Sequence, residues 1–157
     1  MAADEPIDDP SPPELGGGLP LVVAVYGTLR TGERNHYLLC RAEPLGTAWI
    51  GGDLFTVPTA PYRPYAYPAL VLPGTGRVSV ELYRLADRAT LDALDRLEMY
   101  LPDNDADSQY LRRTVPVFDH EPALGTPPIS AAATYLYNGP AADLGELIES
   151  GNWMSER

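Results

Sequence analysis

Hydrophobic positions first gather at Leu21-Val22-Val23-Ala24-Val25-Tyr26, a run that is apolar on both alternating faces, as in a strand buried on both sides. Gly27 ends it abruptly. A short helix is predicted over residues 34–41, and residues 46–57 read as one or two strands interrupted at Gly51-Gly52. Residues 58–68 carry four prolines and three tyrosines, which predicts an irregular loop whose aromatics could line a pocket. From 77 to 85 the chain alternates, with Val78, Val80 and Leu82 on one face and Arg77, Ser79, Glu81 and Tyr83 on the other. Asp87 then suits the N-cap of a helix over residues 88–99, followed by an acidic turn-rich loop over 101–109. Strands over 110–118 and 131–138 complete the pattern, and Pro116, which lacks a ladder donor, places the first of them at an edge or a bulge. Strands predominate without regular βα alternation, so the expected class is α+β, built on a mixed sheet or small β-barrel with flanking short helices.

The helix after Asp87 contains one anomaly. Leu91, Leu94 and Leu97 define its apolar stripe, and Glu98 lies seven residues after Leu91 and four after Leu94, on or beside that stripe. Desolvation there would raise its carboxyl towards the range useful for proton transfer near neutral pH. On periodicity alone, the commoner outcome is a helix-end glutamate that snorkels to solvent. A second feature is the turn Tyr26-Gly27-Thr28-Leu29-Arg30, where glycine permits a sharp bend and successive N–H groups can converge on an anion. Alone, it would pass for an ordinary strand-to-loop turn.

Composition narrows the chemistry. Net charge is −11, and the first 19 residues, acidic and rich in proline and glycine, hold five of the acids and read as a disordered tail before one domain over 20–157. The remainder keeps 17 acids against 11 bases, with no basic run, which disfavours nucleic acid. Lysine is absent, so Schiff-base and pyridoxal chemistry are excluded. No stretch approaches the ~18 apolar residues of a membrane span, and the start lacks a basic-then-apolar leader, so a cytoplasmic protein is expected. The lone Cys40 fits a reducing setting and reads as a small buried hydrophobe.

Several motifs fail in detail. Gly27 and Gly32 have phosphate-loop spacing, but Glu33 and Arg34 follow where Lys and Ser/Thr are needed. Asp103, Asp105 and Asp107 imitate the start of a calcium loop, with Ser108 in the glycine position and Thr114 in that of the bidentate glutamate. His36 and His120 are too few and too isolated for zinc, no G-x-S-x-G segment presents a serine, and nothing beside Cys40 activates a thiolate.

Taken in order, the blocks Val25-Tyr26-Gly27-Thr28-Leu29-Arg30 with Asn35 and Leu38-Leu39, Tyr67-Pro68-Ala69-Leu70, Val80-Glu81-Leu82-Tyr83, Leu94-Asp95-Arg96-Leu97-Glu98, Tyr110-Leu111-Arg112 and Leu147-Ile148-Glu149-Ser150-Gly151-Asn152-Trp153 resemble the γ-glutamylcyclotransferase-like, or AIG2-like, family. The resemblance covers residues 21–154. It implies a compact mixed barrel with a cavity at its end, no cofactor and no metal, and Glu98 as the family's general acid/base. It also implies substrate contacts from Tyr26, Gly27, Thr28, Leu29 and Tyr110, although the family's loop more often has serine where this chain has Thr28. The implied reaction cyclises a γ-glutamyl amide to 5-oxoproline and frees an amine. A small γ-glutamyl amine or amino-acid substrate is expected, with Arg30, Arg63 and Arg112 forming a basic rim if they cluster at the opening; Arg112 reads as a structural or rim partner. Two alternatives remain open at this stage. One is a non-catalytic module of the same fold that binds a small metabolite. The other is an interaction protein that uses the proline- and tyrosine-rich segment, for which outward-pointing tyrosines would argue.

Overall fold

A computed structural model of the chain describes residues 21–121 and 127–154; the expected N-terminal tail lies outside the described residues. Seven strands and one α-helix follow one another: β1 Leu21–Val25, β2 Glu43–Gly51, β3 Asp53–Val57, β4 Tyr67–Val71, β5 Arg77–Leu85, α1 Arg88–Leu97, β6 Tyr110–Val117 and β7 Ser130–Tyr137. Five strands form one sheet in the order β2-β5-β1-β7-β6, and β3 pairs with β4 in a separate ribbon. The apolar run that opened the chain is the middle strand, antiparallel to β5 and parallel to β7. The sheet curls until its outer strands meet: Trp49 of β2 and Phe118, just beyond β6, exchange both backbone hydrogen bonds at 2.8 Å. The α+β class is therefore as expected, and the barrel takes the form of a curled sheet joined across this bridge. β6 lies at the end of the sheet order, where Pro116 omits a donor at little cost.

Burial follows the alternation. On β1, Leu21, Val23 and Val25 face a cluster that includes Leu39, Leu85, Leu91 and Leu94, while Ala24 faces a second cluster with Ile50, Leu54, Leu70, Val78 and Val80. Along β5 the even positions Val78 and Val80 are fully buried; at its far end Tyr83 and Leu85 are buried too, within the cluster that Leu39 and α1 complete.

Three local expectations change. The predicted helix over 34–41 is only a 3₁₀ turn at His36–Leu39, since Asn35 is drawn back towards the β1 turn by its N–H to the Thr28 carbonyl at 2.9 Å and its side-chain amide to the Thr28 hydroxyl at 2.9 Å. Cys40 is exposed rather than buried, because in this tight turn Leu39 is the residue that points inward. The loop predicted to Pro68 gives way to β4, whose Ala69 and Leu70 are fully buried. The interruption at Gly51-Gly52 is real: Gly52 adopts a φ of 138° and divides β2 from β3. No helix among the described residues is long and apolar enough to cross a membrane.

Candidate active site

Where β1 ends, the chain closes a turn through the Arg30 N–H to the Gly27 carbonyl at 3.0 Å. Glycine lets this turn and β4 approach closely at position 27, since a Cβ there would stand 2.5 Å from Cγ of Pro68 on β4 and one of them would have to shift. The carbonyls of the turn are occupied: Thr28 accepts from Asn35, and the His36 Nδ1–H donates to Leu29 at 2.9 Å. The N–H groups of Gly27, Thr28 and Leu29 have no protein acceptor among the described residues. These three residues border a cavity of about 200 Å³ whose wall also includes Tyr26, Glu98 and Tyr110. The six residues singled out from sequence thus come together around one space.

Glu98 reaches that space as the C-cap of α1. The Asp87 side chain starts the helix by accepting the Thr90 N–H at 2.8 Å, and Leu91 and Leu94 fix its buried face. Leu97, assigned to the same stripe from sequence, is 36% exposed instead and borders the cavity. Met99 follows Glu98 with a φ of 54°, so the chain turns away immediately after the acid. As a residue Glu98 is half-buried, with the cavity giving it an aperture to solvent, yet the surrounding protein desolvates its carboxyl. That burial, reinforced by the charge of Asp95, raises the Glu98 carboxyl to about 8. No group among the described residues donates a hydrogen bond to it.

Three phenols surround this acid, each raised well above its usual range by burial first, with the Glu98 charge contributing to all three. Their protons already have acceptors. Tyr26 donates to the Tyr135 carbonyl at 2.6 Å, Tyr110 to the Pro68 carbonyl at 2.8 Å, and Tyr135 to the Asp95 carboxylate at 2.6 Å. Tyr26 and Tyr110 therefore hold the cavity walls together, linking the turn after β1 to β7 and β6 to β4.

A model of the family described as "Gamma-glutamyl cyclotransferase, AIG2-like" matches residues 23–155. The chain belongs to that family. It is 37% identical over 133 residues to a Vibrio cholerae protein named "Putative gamma-glutamylcyclotransferase", covering 84% of this chain and 94% of the relative. Among solved structures, protein ytfP from Escherichia coli is 30% identical with a TM-score of 0.56, over 85% of this chain and 96% of that one. An AIG2-like protein from mouse shares the fold at a TM-score of 0.61 and 22% identity, over 86% and 88% of the two chains.

In this member of the γ-glutamyl cyclotransferase family, Arg30, Arg63 and Arg112 do not cluster into the basic rim that the sequence left open. Arg30 turns to the C-terminal segment, donating to Asn152 at 2.6 Å and to the Trp153 carbonyl at 2.9 Å. Arg112 is buried and forks onto Asp95 at 3.0 and 3.3 Å, and Arg63 lines a neighbouring groove. The arginine on the cavity wall is Arg34, which sequence reasoning passed over. Asp95 was missed as well. It lies four residues after Leu91 and so shares the inward face; the helical spacing that exposed Glu98 identifies it equally. Of the tyrosines in the proline-rich segment, Tyr67 is half-buried while Tyr62 and Tyr65 are exposed. The calcium-like acids serve locally, Asp105 pairing with Arg113 at 2.6 Å and Asp107 accepting from Asn104 at 2.7 Å. Among the described residues no cluster of His, Cys, Asp and Glu is arranged to hold a metal.

Proposed function

We propose that this chain is a γ-glutamyl cyclotransferase that releases 5-oxoproline and a free amine from a γ-glutamyl amide by intramolecular aminolysis. The observation that carries the reading is Glu98, a carboxyl raised to about 8 with no hydrogen-bond donor among the described residues, on the wall of a cavity also lined by Gly27, Thr28 and Leu29, whose N–H groups have no acceptor among those residues. In the reaction, the glutamyl α-amine attacks its own γ-carbonyl carbon, a C–N bond closes the five-membered lactam, and the original amide C–N bond breaks. Glu98 takes a proton from the attacking amine and returns one to the departing amine, so protons balance and no cofactor enters. A carboxyl near 8 suits both halves, since at pH 7 roughly one tenth of it is ionised and the remainder is a competent acid.

The remaining work is positional. Holding the substrate folded as a near-attack conformer supplies much of the rate in such ring closures. The Gly27, Thr28 and Leu29 amides present donors to the α-carboxylate or to the oxyanion developing on the γ-carbonyl, and they are preorganised by the turn. Tyr26 and Tyr110 fix the walls through their carbonyl contacts. The test is incubation with a panel of γ-glutamyl dipeptides and γ-glutamyl amines, scored by 5-oxoproline release. The unsubstituted protein is expected to turn over at least one member, and Glu98→Gln to lose about 10²- to 10⁴-fold in kcat. Ligand binding without turnover by the unsubstituted protein would assign it instead as a binding module.

A further inference from the structure

A second, shallower groove of about 690 Å³ adjoins the cavity and shares Tyr65, Tyr67 and Gln109 with it, the Gln109 amide donating to the Tyr67 hydroxyl at 2.8 Å. Tyrosines dominate its walls: Tyr62 and Tyr65 are 77% and 54% exposed, and Tyr137 is held in place by donating its hydroxyl to the Pro140 carbonyl at 3.0 Å. Large aromatic side chains left open beside a cavity offer stacking surface without further ordering of the protein.

Two arginines meet these rings, and their situations differ. Arg63 is already engaged, donating to the Pro58 carbonyl at 2.5 Å and facing Asp143 at 3.8 Å, with its guanidinium 5.1 Å from the Tyr62 ring and 5.9 Å from that of Tyr67. Arg34 lies 3.3 Å over the Tyr65 ring on the cavity wall, and no carboxylate among the described residues pairs with it. In a chain with 22 acids and 11 bases, an arginine on the cavity wall that stacks on a tyrosine shared with the groove, and that has no carboxylate partner among the described residues, offers a place where an anion is recognised.

We propose that this groove is the subsite for the departing amine, and that it takes an amino acid with an aromatic side chain: its carboxylate on Arg34, its ring among Tyr62, Tyr65 and Tyr137. The inference rests on the reaction proposed above. The scissile nitrogen sits beside Glu98 in the cavity, and in such a substrate the next carbon carries both the carboxylate and the side chain. The carboxylate is thereby kept near Arg34 on the cavity wall, while the side chain leads outward into the groove. A cationic or carboxylate-free amine leaves Arg34 unanswered, and a short side chain leaves the tyrosines unused.

Binding, measured by calorimetry on the Glu98→Gln protein so that nothing is consumed, separates the subsite from the chemistry. Three ligands suffice: γ-glutamyl-phenylalanine, γ-glutamyl-alanine and γ-glutamyl-phenethylamine. The phenylalanine compound is expected to bind about tenfold more tightly than the alanine one through ring contacts, and about tenfold more tightly than the phenethylamide through the carboxylate. Adding Arg34→Gln is expected to close the second gap, and adding Tyr62→Ala to narrow the first. Equal affinities for the three ligands, tighter binding of the phenethylamide, or no binding by any of them overturns the subsite. Release of 5-oxoproline from γ-glutamyl-alanine by the unsubstituted protein is scored separately, so failure of the subsite and failure of the reaction are told apart.

Discussion

Two acids on one helical face have opposite fates. Asp95 is buried but fully answered, by two Arg112 nitrogens and the Tyr135 hydroxyl, whereas Glu98, three residues on, has the desolvation without the donors. A carboxyl raised from 4.5 to about 8 in the folded state binds its proton more tightly there than in the unfolded chain. Its contribution is therefore fully present below about pH 4.5 and is lost as pH rises towards 8. Glu98→Gln, which stays neutral, should match the parent protein at about pH 4 and exceed it at about pH 9 by on the order of 3 kcal/mol, read from urea midpoints. Parallel stability profiles for the two proteins would show that Glu98 is not desolvated. An inactive variant that is more stable at alkaline pH is the signature of an acid kept for chemistry rather than for folding. Asp95→Asn should act in the other direction, costing about 3 kcal/mol by leaving Arg112 buried without its charge partner. It should also move the alkaline limb of the Glu98 titration to lower pH, because the Asp95 charge is part of what holds that carboxyl up. Denaturant unfolding and the pH dependence of stability check the two effects in one set of samples.

At the scale of elements, the site depends on how closely the end of β1 approaches β4. Gly27 lies against the Pro68 ring, and the Pro68 carbonyl in turn anchors Tyr110 on β6, so three strands converge on one glycine. Gly27→Ala should displace β4, costing about 1–3 kcal/mol as an overpacked contact and weakening γ-glutamyl ligands by disturbing the open N–H groups. Unchanged melting and unchanged affinity would show that the turn tolerates the extra carbon. This convergence marks the limit of what the sequence conveys. β1 was readable as an apolar run buried on both faces, β5 and α1 because their burial is periodic, and Glu98 and Asp95 are both readable on the helical period. β4 was hidden because Ala69-Leu70-Val71 is a short apolar run directly after a proline-rich stretch, where local turn chemistry outweighs three residues of pattern. The helix expected over 34–41 failed for a comparable reason, since side-chain and backbone bonds from Asn35 to Thr28 compete with a regular first turn. Arg34 could not be found by periodicity at all; its position over Tyr65 is set by two loops meeting across the cavity, a relation with no local signal.

Over the whole molecule, the curled sheet brings its edges together at Trp49 and Phe118 and leaves the cavity opening beside the α1 terminus and the tyrosine-lined groove. The charge around that opening bears on what can reach it. Seventeen acids face 11 bases outside the first 19 residues, and Arg30 and Arg112 are drawn into contacts with the C-terminal segment and with Asp95. Arg34 remains at the cavity, with Arg63 partly offset by Asp143. One arginine with no carboxylate partner among the described residues suits a small anionic substituent; it is a weak counterweight to a large acidic partner such as an acyl carrier protein. Screening confines the relevant charges to those within about 10 Å at 0.1 M salt, so the comparison must be made at more than one ionic strength. A free γ-glutamyl amide should be turned over with a higher kcat/KM than the same group tethered to an acidic carrier at low salt. The deficit of the tethered form should shrink several-fold at moderate salt, because it arises from encounter rather than from chemistry. A strong preference for the carrier-bound form at both salts would mean that a surface outside this opening recruits the carrier, and the assignment of a small free substrate would fall.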